Sequence, residues 1–144
     1  MKERFKTIIA VYLIMIRDKK VLLSRRYNTG YFDGSYSLPA GHLEKGETLK
    51  ETMIREGNEE LGIALEADDL KLAHTIFRNI PDNERISFFF TAEKWSGEIT
   101  NMEPEKCDDL EWFSLDELPE NMIPYVKEAI NFYLNGINYS ERED

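Results

Sequence analysis

The chain has 144 residues, of which 42% are apolar and 32% charged, and its formal net charge is −10. That length suits one domain burying a core without metal or disulfide staples, and the balance excludes the low-hydrophobicity composition of disordered chains. The charge repels a phosphate backbone, which argues against nucleic acid as a partner and means that an anionic substrate needs a bridging cation.

Lys2, Arg4 and Lys6 precede the apolar run Ile8 to Ile16, the outline of a signal-peptide core. Arg17-Asp18-Lys19-Lys20 follows with no small-residue cleavage site, and nine residues are too few to cross a bilayer as a helix. The run therefore reads as a buried strand, with no membrane partner and a cytoplasmic location expected. Strands are predicted over Phe5 to Ile16 and Val21 to Tyr27, with Arg17 to Lys20 as a polar turn between antiparallel neighbours. A loop spans Asn28 to Tyr36, and Pro39 and Gly41 disfavour regular structure across Ser37 to Gly41.

Thr48 with Glu51 three residues on forms a capping-box pattern, and Gly62 stands where a left-handed cap is expected, which predicts a helix from about Leu49 to Leu61. Leu70 to Phe77, Ile86 to Ala92 and Leu110 to Phe113 read as strands, with turns at Pro81-Asp82-Asn83 and Ser96-Gly97. A second helix over Met122 to Leu134 carries Ile123, Val126, Ile130 and Leu134 at helical spacing and stops before Gly136. Ser140 to Asp144 is expected to fray.

On the first helix, Glu56, Glu59 and Glu60 stand at i, i+3 and i+4, so their carboxylates rise from one face. Their repulsion destabilises the helix, and a hard divalent cation offsets it: carboxylate oxygens suit Mg²⁺, with Mn²⁺ as a substitute. Zinc is not expected without a cysteine-histidine cluster, and His42 and His74 are not read as ligands. Leu49, Met53, Gly57 and Leu61 form the opposite face, apolar or small, to pack on the sheet. A glutamate-rich stretch taken alone is more often a solvated helix face, so the surrounding residues decide.

The segment from Gly41 to Ile63 resembles the Nudix box, G-x5-E-x7-R-E-U-x-E-E-x-G-U with U a bulky aliphatic residue. Gly41, Glu47, Arg55, Glu56, Glu59, Glu60 and Gly62 supply all seven fixed letters, a match with chance odds on the order of 10⁻⁵ in a chain of this composition. Gly57 departs from the pattern, and a mid-helix glycine costs about 1 kcal/mol relative to alanine; a close approach to the sheet or a looser helix would each account for it. The resemblance implies that Glu56, Glu59 and Glu60 bind metal, with the carbonyl of Gly41 as a further ligand and Glu47 and Arg55 in support. Arg55 precedes Glu59 by four residues and can hold it by a charge-assisted hydrogen bond. The implied fold is α/β, a Nudix-type α/β/α sandwich with a mixed sheet between helices, in a single domain over residues 1–144. The implied chemistry is in-line attack of water on a diphosphate, with the cation neutralising phosphate oxygens. Glu59 or Glu60 is the expected base, and Glu103 and Glu105 are the competitors.

Asn101 to Phe113 is similar to the segment before a late strand in MutT-like nucleoside triphosphate pyrophosphohydrolases. A solvated acidic turn before Trp112 and Phe113 fits the same residues, so the similarity serves only to rank substrates. It puts first a nucleoside triphosphate, modified or oxidised bases included, cleaved to the monophosphate and pyrophosphate. ADP-ribose, other nucleoside diphosphate derivatives, dinucleoside polyphosphates and a non-catalytic nucleotide-sensing role stay open. Pro81 lies 18 residues past Ile63, off the spacing associated with ADP-ribose hydrolases. Arg25 and Arg26 end a strand near the binding loop, and alternation allows only one of them to reach substrate. Tyr27, Tyr31 and Phe32 are candidates to stack a base. Cys107, the single cysteine, excludes an intrachain disulfide and reads as a buried inert thiol in a reducing compartment. A homodimer stays open.

Overall fold

The computed structural model describes residues 3–144; Lys2, part of the basic start of the chain, lies outside them. In chain order the elements are β1 (Ile8–Ile14), β2 (Ile16–Arg17), β3 (Lys20–Arg26), β4 (Tyr36–Ser37), β5 (Ala40–His42), α1 (Leu49–Leu61), β6 (Leu70–Arg78), β7 (Arg85–Ala92), β8 (Cys107–Ser114), α2 (Pro124–Leu134) and β9 (Tyr139–Arg142).

Successive side chains of a strand point to opposite faces, so a continuous apolar run requires two covered faces. β1 meets that requirement: Ala10, Tyr12 and Ile14 enter one core, and Val11, Leu13 and the following Met15 enter another. α2 covers the first through Val126, Ala129 and Ile130, and α1 covers the second through Met53 and Leu61. β1 lies inside a mixed five-stranded sheet of order β5, β1, β7, β6, β9, in which β1 runs parallel to β7 and β6 parallel to β9. β3 pairs antiparallel with β2, β4 and β8 in a second sheet of four strands. The architecture is the expected α/β/α sandwich, with the strands divided between two sheets. Among the described residues no helix is long and apolar enough to cross a membrane.

Local expectations change in four places. The run expected as one strand over Phe5 to Ile16 breaks at Met15, and only Ile16–Arg17 pairs with β3. Its turn places Asp18 and Lys19 at φ 53° and 61°, two left-handed residues of the kind that match the twist of a tight hairpin. Ser37 to Gly41 is not irregular: Ala40–His42 pairs with Tyr12–Ala10, and the Leu13 amide donates to the carbonyl of Pro39 at 2.9 Å. Pro39 sits between two short strands, where its missing N–H breaks no ladder. Ser140 to Asp144 does not fray, because β9 pairs with β6. His74 is fully buried and needs partners for both ring nitrogens; Ile137 O and Ser140 Oγ supply them at 2.7 and 2.8 Å. The second helix begins at Pro124, a proline at the first helical position, rather than at Met122.

α1 keeps its expected span. Thr48 Oγ1 accepts from the Glu51 amide at 3.1 Å while Glu51 Oε1 accepts from the Thr48 amide at 2.9 Å, closing the capping box. Gly62 ends the helix at φ 70°. A side chain at Gly57 would meet Leu65 Cδ1 at 2.7 Å, so this glycine answers a close approach, made by the segment following the helix rather than by the sheet. In urea unfolding, Thr48→Ala is expected to lose about 1 kcal/mol through the cap. Met53→Ala, which empties a fully buried position, is expected to lose about 2–5 kcal/mol.

Candidate active site

The loop before α1, the helix itself and β5 meet at the guanidinium of Arg55. Its Nε and Nη2 donate to Glu47 at 2.7 and 3.1 Å, a two-pronged contact that fits the planar fork. Nη1 donates to Glu56 at 2.7 Å and Nη2 to the His42 carbonyl at 3.2 Å. The contact with Glu59, expected from the four-residue spacing, is present but longer, at 3.3 Å. Glu47 also accepts from the Thr52 hydroxyl at 2.9 Å and the Glu44 amide at 3.1 Å. Arg55 is the main cause that holds the Glu47 carboxyl down to about 2.

Glu56 and Glu60 have the opposite electrostatics. Burial raises the affinity of both for protons, and in each case the charges of nearby glutamates, Glu103 among them, add to it. Glu60 Oε2 accepts from the Ala40 amide at 3.1 Å. Gly41 abuts the Glu56 side chain so closely that an added Cβ would lie 2.1 Å from Glu56 Cδ; the glycine makes room for the carboxylate. Arg55 offsets part of this charge and the Ala40 N–H a little more, yet excess negative charge remains on half-buried oxygens. A hard divalent cation fits that donor set, and Glu56, Glu59, Glu60 and the carbonyl of Gly41 are the groups that would hold it. Glu59 is the most exposed of the three carboxylates. Among the described residues no three acidic, histidine or cysteine side chains already converge as a cage, as Glu56 is turned to Arg55 and Glu60 to Ala40.

These residues line one side of a cleft of about 820 Å³. Arg25, Arg26 and Tyr31 border the same cleft, whereas Tyr27 and Phe32 do not. Both arginines reach it because a bulge between them interrupts strict alternation along β3. Arg25 is paired with Asp108 at 2.7 Å, and Arg26 donates to the carbonyl of Tyr31 at 2.5 Å. Phe32 takes a left-handed backbone, φ 51°, and sets its ring edge-on to Tyr31 at 4.7 Å. Glu103 borders the cleft and Glu105 does not. Cys107 also borders it, half-buried, with its Sγ donating to Asp109 O at 3.2 Å and its thiol pushed up by burial. Sequence reasoning missed Tyr12, Tyr125 and Arg85. The hydroxyls of Tyr12 and Tyr31 each meet that of Tyr125, at 3.0 and 3.3 Å, on the cleft wall. No local pattern marks these residues; pairing between distant strands and the packing of α2 assemble them.

Residues 6–134 match the NUDIX domain family. The chain belongs to the NUDIX domain family. An NAD-capped RNA hydrolase NudC from Pseudomonas aeruginosa is 34% identical over 110 residues, covering 76% of this chain but only 37% of that protein. An ADP-ribose pyrophosphatase from Methanocaldococcus jannaschii is 33% identical over 119 residues, covering 83% of this chain and 69% of the other. An 8-oxo-dGTP diphosphatase from Escherichia coli is 28% identical over 122 residues, covering 85% and 91%. A crystal structure of a MutT NUDIX hydrolase from Burkholderia pseudomallei superimposes with a TM-score of 0.79 at 27% identity, covering 88% of this chain and 97% of that one.

Two predictions follow from the geometry of the Nudix box. In Gly41→Ala the added methyl displaces the Glu56 side chain and its contact with Arg55, so hydrolysis is expected to fall steeply, with a smaller loss of melting temperature than in Met53→Ala. Glu47 binds its proton less tightly when folded than the ordinary value of 4.5, so its contribution to stability is complete above pH 4.5 and is lost as pH falls toward about 2. Glu47→Gln should therefore be less stable than the parent at pH 7, with the gap closing across that window in thermal melts.

Proposed function

We propose that this Nudix hydrolase cleaves nucleoside triphosphates, including those with modified or oxidised bases, to the monophosphate and pyrophosphate, with Mg²⁺ as its cation and Mn²⁺ as a substitute. The carrying observation is a single cleft lined both by the carboxylates of α1 and by the arginines of β3. One wall suits a divalent cation and the other the phosphates that the cation bridges. When bound, the cation would neutralise phosphate oxygens and acidify the attacking water. Arg55 keeps Glu47 and Glu56 fixed, so the carboxylate array is organised before substrate arrives. Glu60 is the proposed proton acceptor, since it borders the cleft, is half-buried and is not tied to Arg55. Glu103, on the same cleft, is its competitor, whereas Glu105 lies off it.

The near full-length similarity to a diphosphatase named for 8-oxo-dGTP supports a triphosphate substrate. The similarity to an ADP-ribose pyrophosphatase favours a second reading, a nucleoside diphosphate sugar in the same cleft. Canonical and oxidised nucleoside triphosphates, ADP-ribose and diadenosine polyphosphates assayed with Mg²⁺ separate the two. Turnover is expected on triphosphates, to vanish in EDTA and return with Mg²⁺, and to drop by about 10²-fold or more in Glu60→Gln with an unchanged melt. Equal turnover by Glu60→Gln would remove Glu60 from the mechanism. A preference for ADP-ribose would overturn the substrate.

A further inference from the structure

We infer that Arg85 is an anion-binding residue that grips a phosphate of the substrate which the cation does not hold, and so selects triphosphates over diphosphate-linked substrates. The inference rests on the proposed hydrolysis in this cleft.

Arg85 opens β7 and borders the cleft. It lies next to Ile8 of β1, two residues along from the row in which Ser87, Ala10 and His42 sit side by side. By strand alternation its side chain shares a face with Ser87 and Phe89, the face that carries Tyr12 and Ala10. Among the described residues Arg85 has no carboxylate partner, and its one side-chain hydrogen bond runs to Asn83 Oδ1 at 3.3 Å. The other cleft arginines are more fully engaged: Arg55 with glutamates, Arg25 with Asp108, and Arg26 with the Tyr31 carbonyl and Thr29 Oγ1.

The position is also unfavourable for folding. In the β6–β7 ladder Arg85 stands directly opposite Arg78. Like charges directly opposed on one sheet destabilise it. Arg78 itself is buried, lies 3.9 Å from the centre of the Tyr125 ring and donates to the Asp144 carbonyl at 2.9 Å. A guanidinium kept beside another, half-buried, with its donors largely uncommitted and opening on a cleft, is placed to receive an anion. Its planar fork matches phosphate oxygens. In a chain of net charge −10 such a spot stands out against the general repulsion of anions.

The test measures binding of inorganic tripolyphosphate and inorganic pyrophosphate in EDTA, by calorimetry at low and moderate salt, to the parent protein, Arg85→Gln and Arg85→Lys. The parent is expected to bind tripolyphosphate more tightly than pyrophosphate. Arg85→Gln should lose roughly tenfold on tripolyphosphate, the scale of one charged hydrogen bond, with Arg85→Lys recovering part of it. Because a like-charge pair is relieved, the melting temperature of Arg85→Gln should equal or exceed that of the parent. With Mg²⁺, KM for a nucleoside triphosphate should rise about as much while kcat and the KM for ADP-ribose hold. Equal tripolyphosphate affinity in parent and Arg85→Gln, or no metal-free binding by the parent, overturns the inference, as does an equal rise in both KM values. Absence of turnover on every substrate would instead sink the proposed function and leave the metal-free binding result to stand by itself.

Discussion

Arg55 holds together three pieces of chain that would otherwise repel or drift apart: the loop carrying Glu47, the glutamate face of α1, and β5 at His42. A lysine could not replace it, since a point charge lacks the fork that spans both oxygens of Glu47 while also reaching Glu56. The guanidinium compensates only in part. It lowers the proton affinity of Glu47 strongly, but burial keeps Glu56 above its ordinary range despite Arg55, and Glu60, out of reach of Arg55, stays above it despite the Ala40 amide and Arg26. The site is thus built with excess negative charge on the side chains nearest the cleft, a cost that the fold sustains through the packing beneath them.

That packing begins with β1. Because both of its faces are covered, α1 and α2 are fixed on opposite sides of one sheet, and β5 is held at its edge next to α1. Gly41 lies in β5 against Glu56, so the strand and the helix carboxylate approach within contact distance. The arginines come from elsewhere: Arg25 and Arg26 from the end of β3, where a bulge turns both toward the cleft, and Arg85 from the start of β7. The acidic wall belongs to one helix and is contiguous in sequence, whereas the basic wall draws on two strands about 60 residues apart, a separation that only long-range pairing can close.

This difference decides what could be read from the residues alone. The span of α1 was legible because capping is local: Thr48, Glu51 and Gly62 act within one turn of the helix ends. The long strands and the carboxylate face were legible for the same reason, through alternation and helical spacing. β4, β5 and β9 were not, since segments of two to four residues carry too little pattern and are made strands by their partners. His74 shows the point from the other side: its buried ring orders a polar tail that composition marks as loose. Arg85 and Tyr125 reach the cleft through topology, and no spacing in the chain announces them. Phe32, in a loop with two aromatics in sequence, packs on its neighbour instead of entering the cleft.

The two walls also constrain the order in which ligands are useful. An anionic substrate approaching the glutamate wall without a cation meets half-buried carboxylates and is repelled; a cation alone finds Glu56 and Glu60 already occupied with Arg55 and Ala40. Each ligand therefore improves the site for the other. On the proposed function, phosphates engaged by the basic wall would supply further oxygens for the cation, and a cation on the acidic wall would remove the repulsion that opposes phosphate. Affinity for phosphate alone then reports on the basic wall, and the coupling between phosphate and cation reports on the two walls together. A cleft with charge of only one sign would bind one partner well and gain nothing from the other.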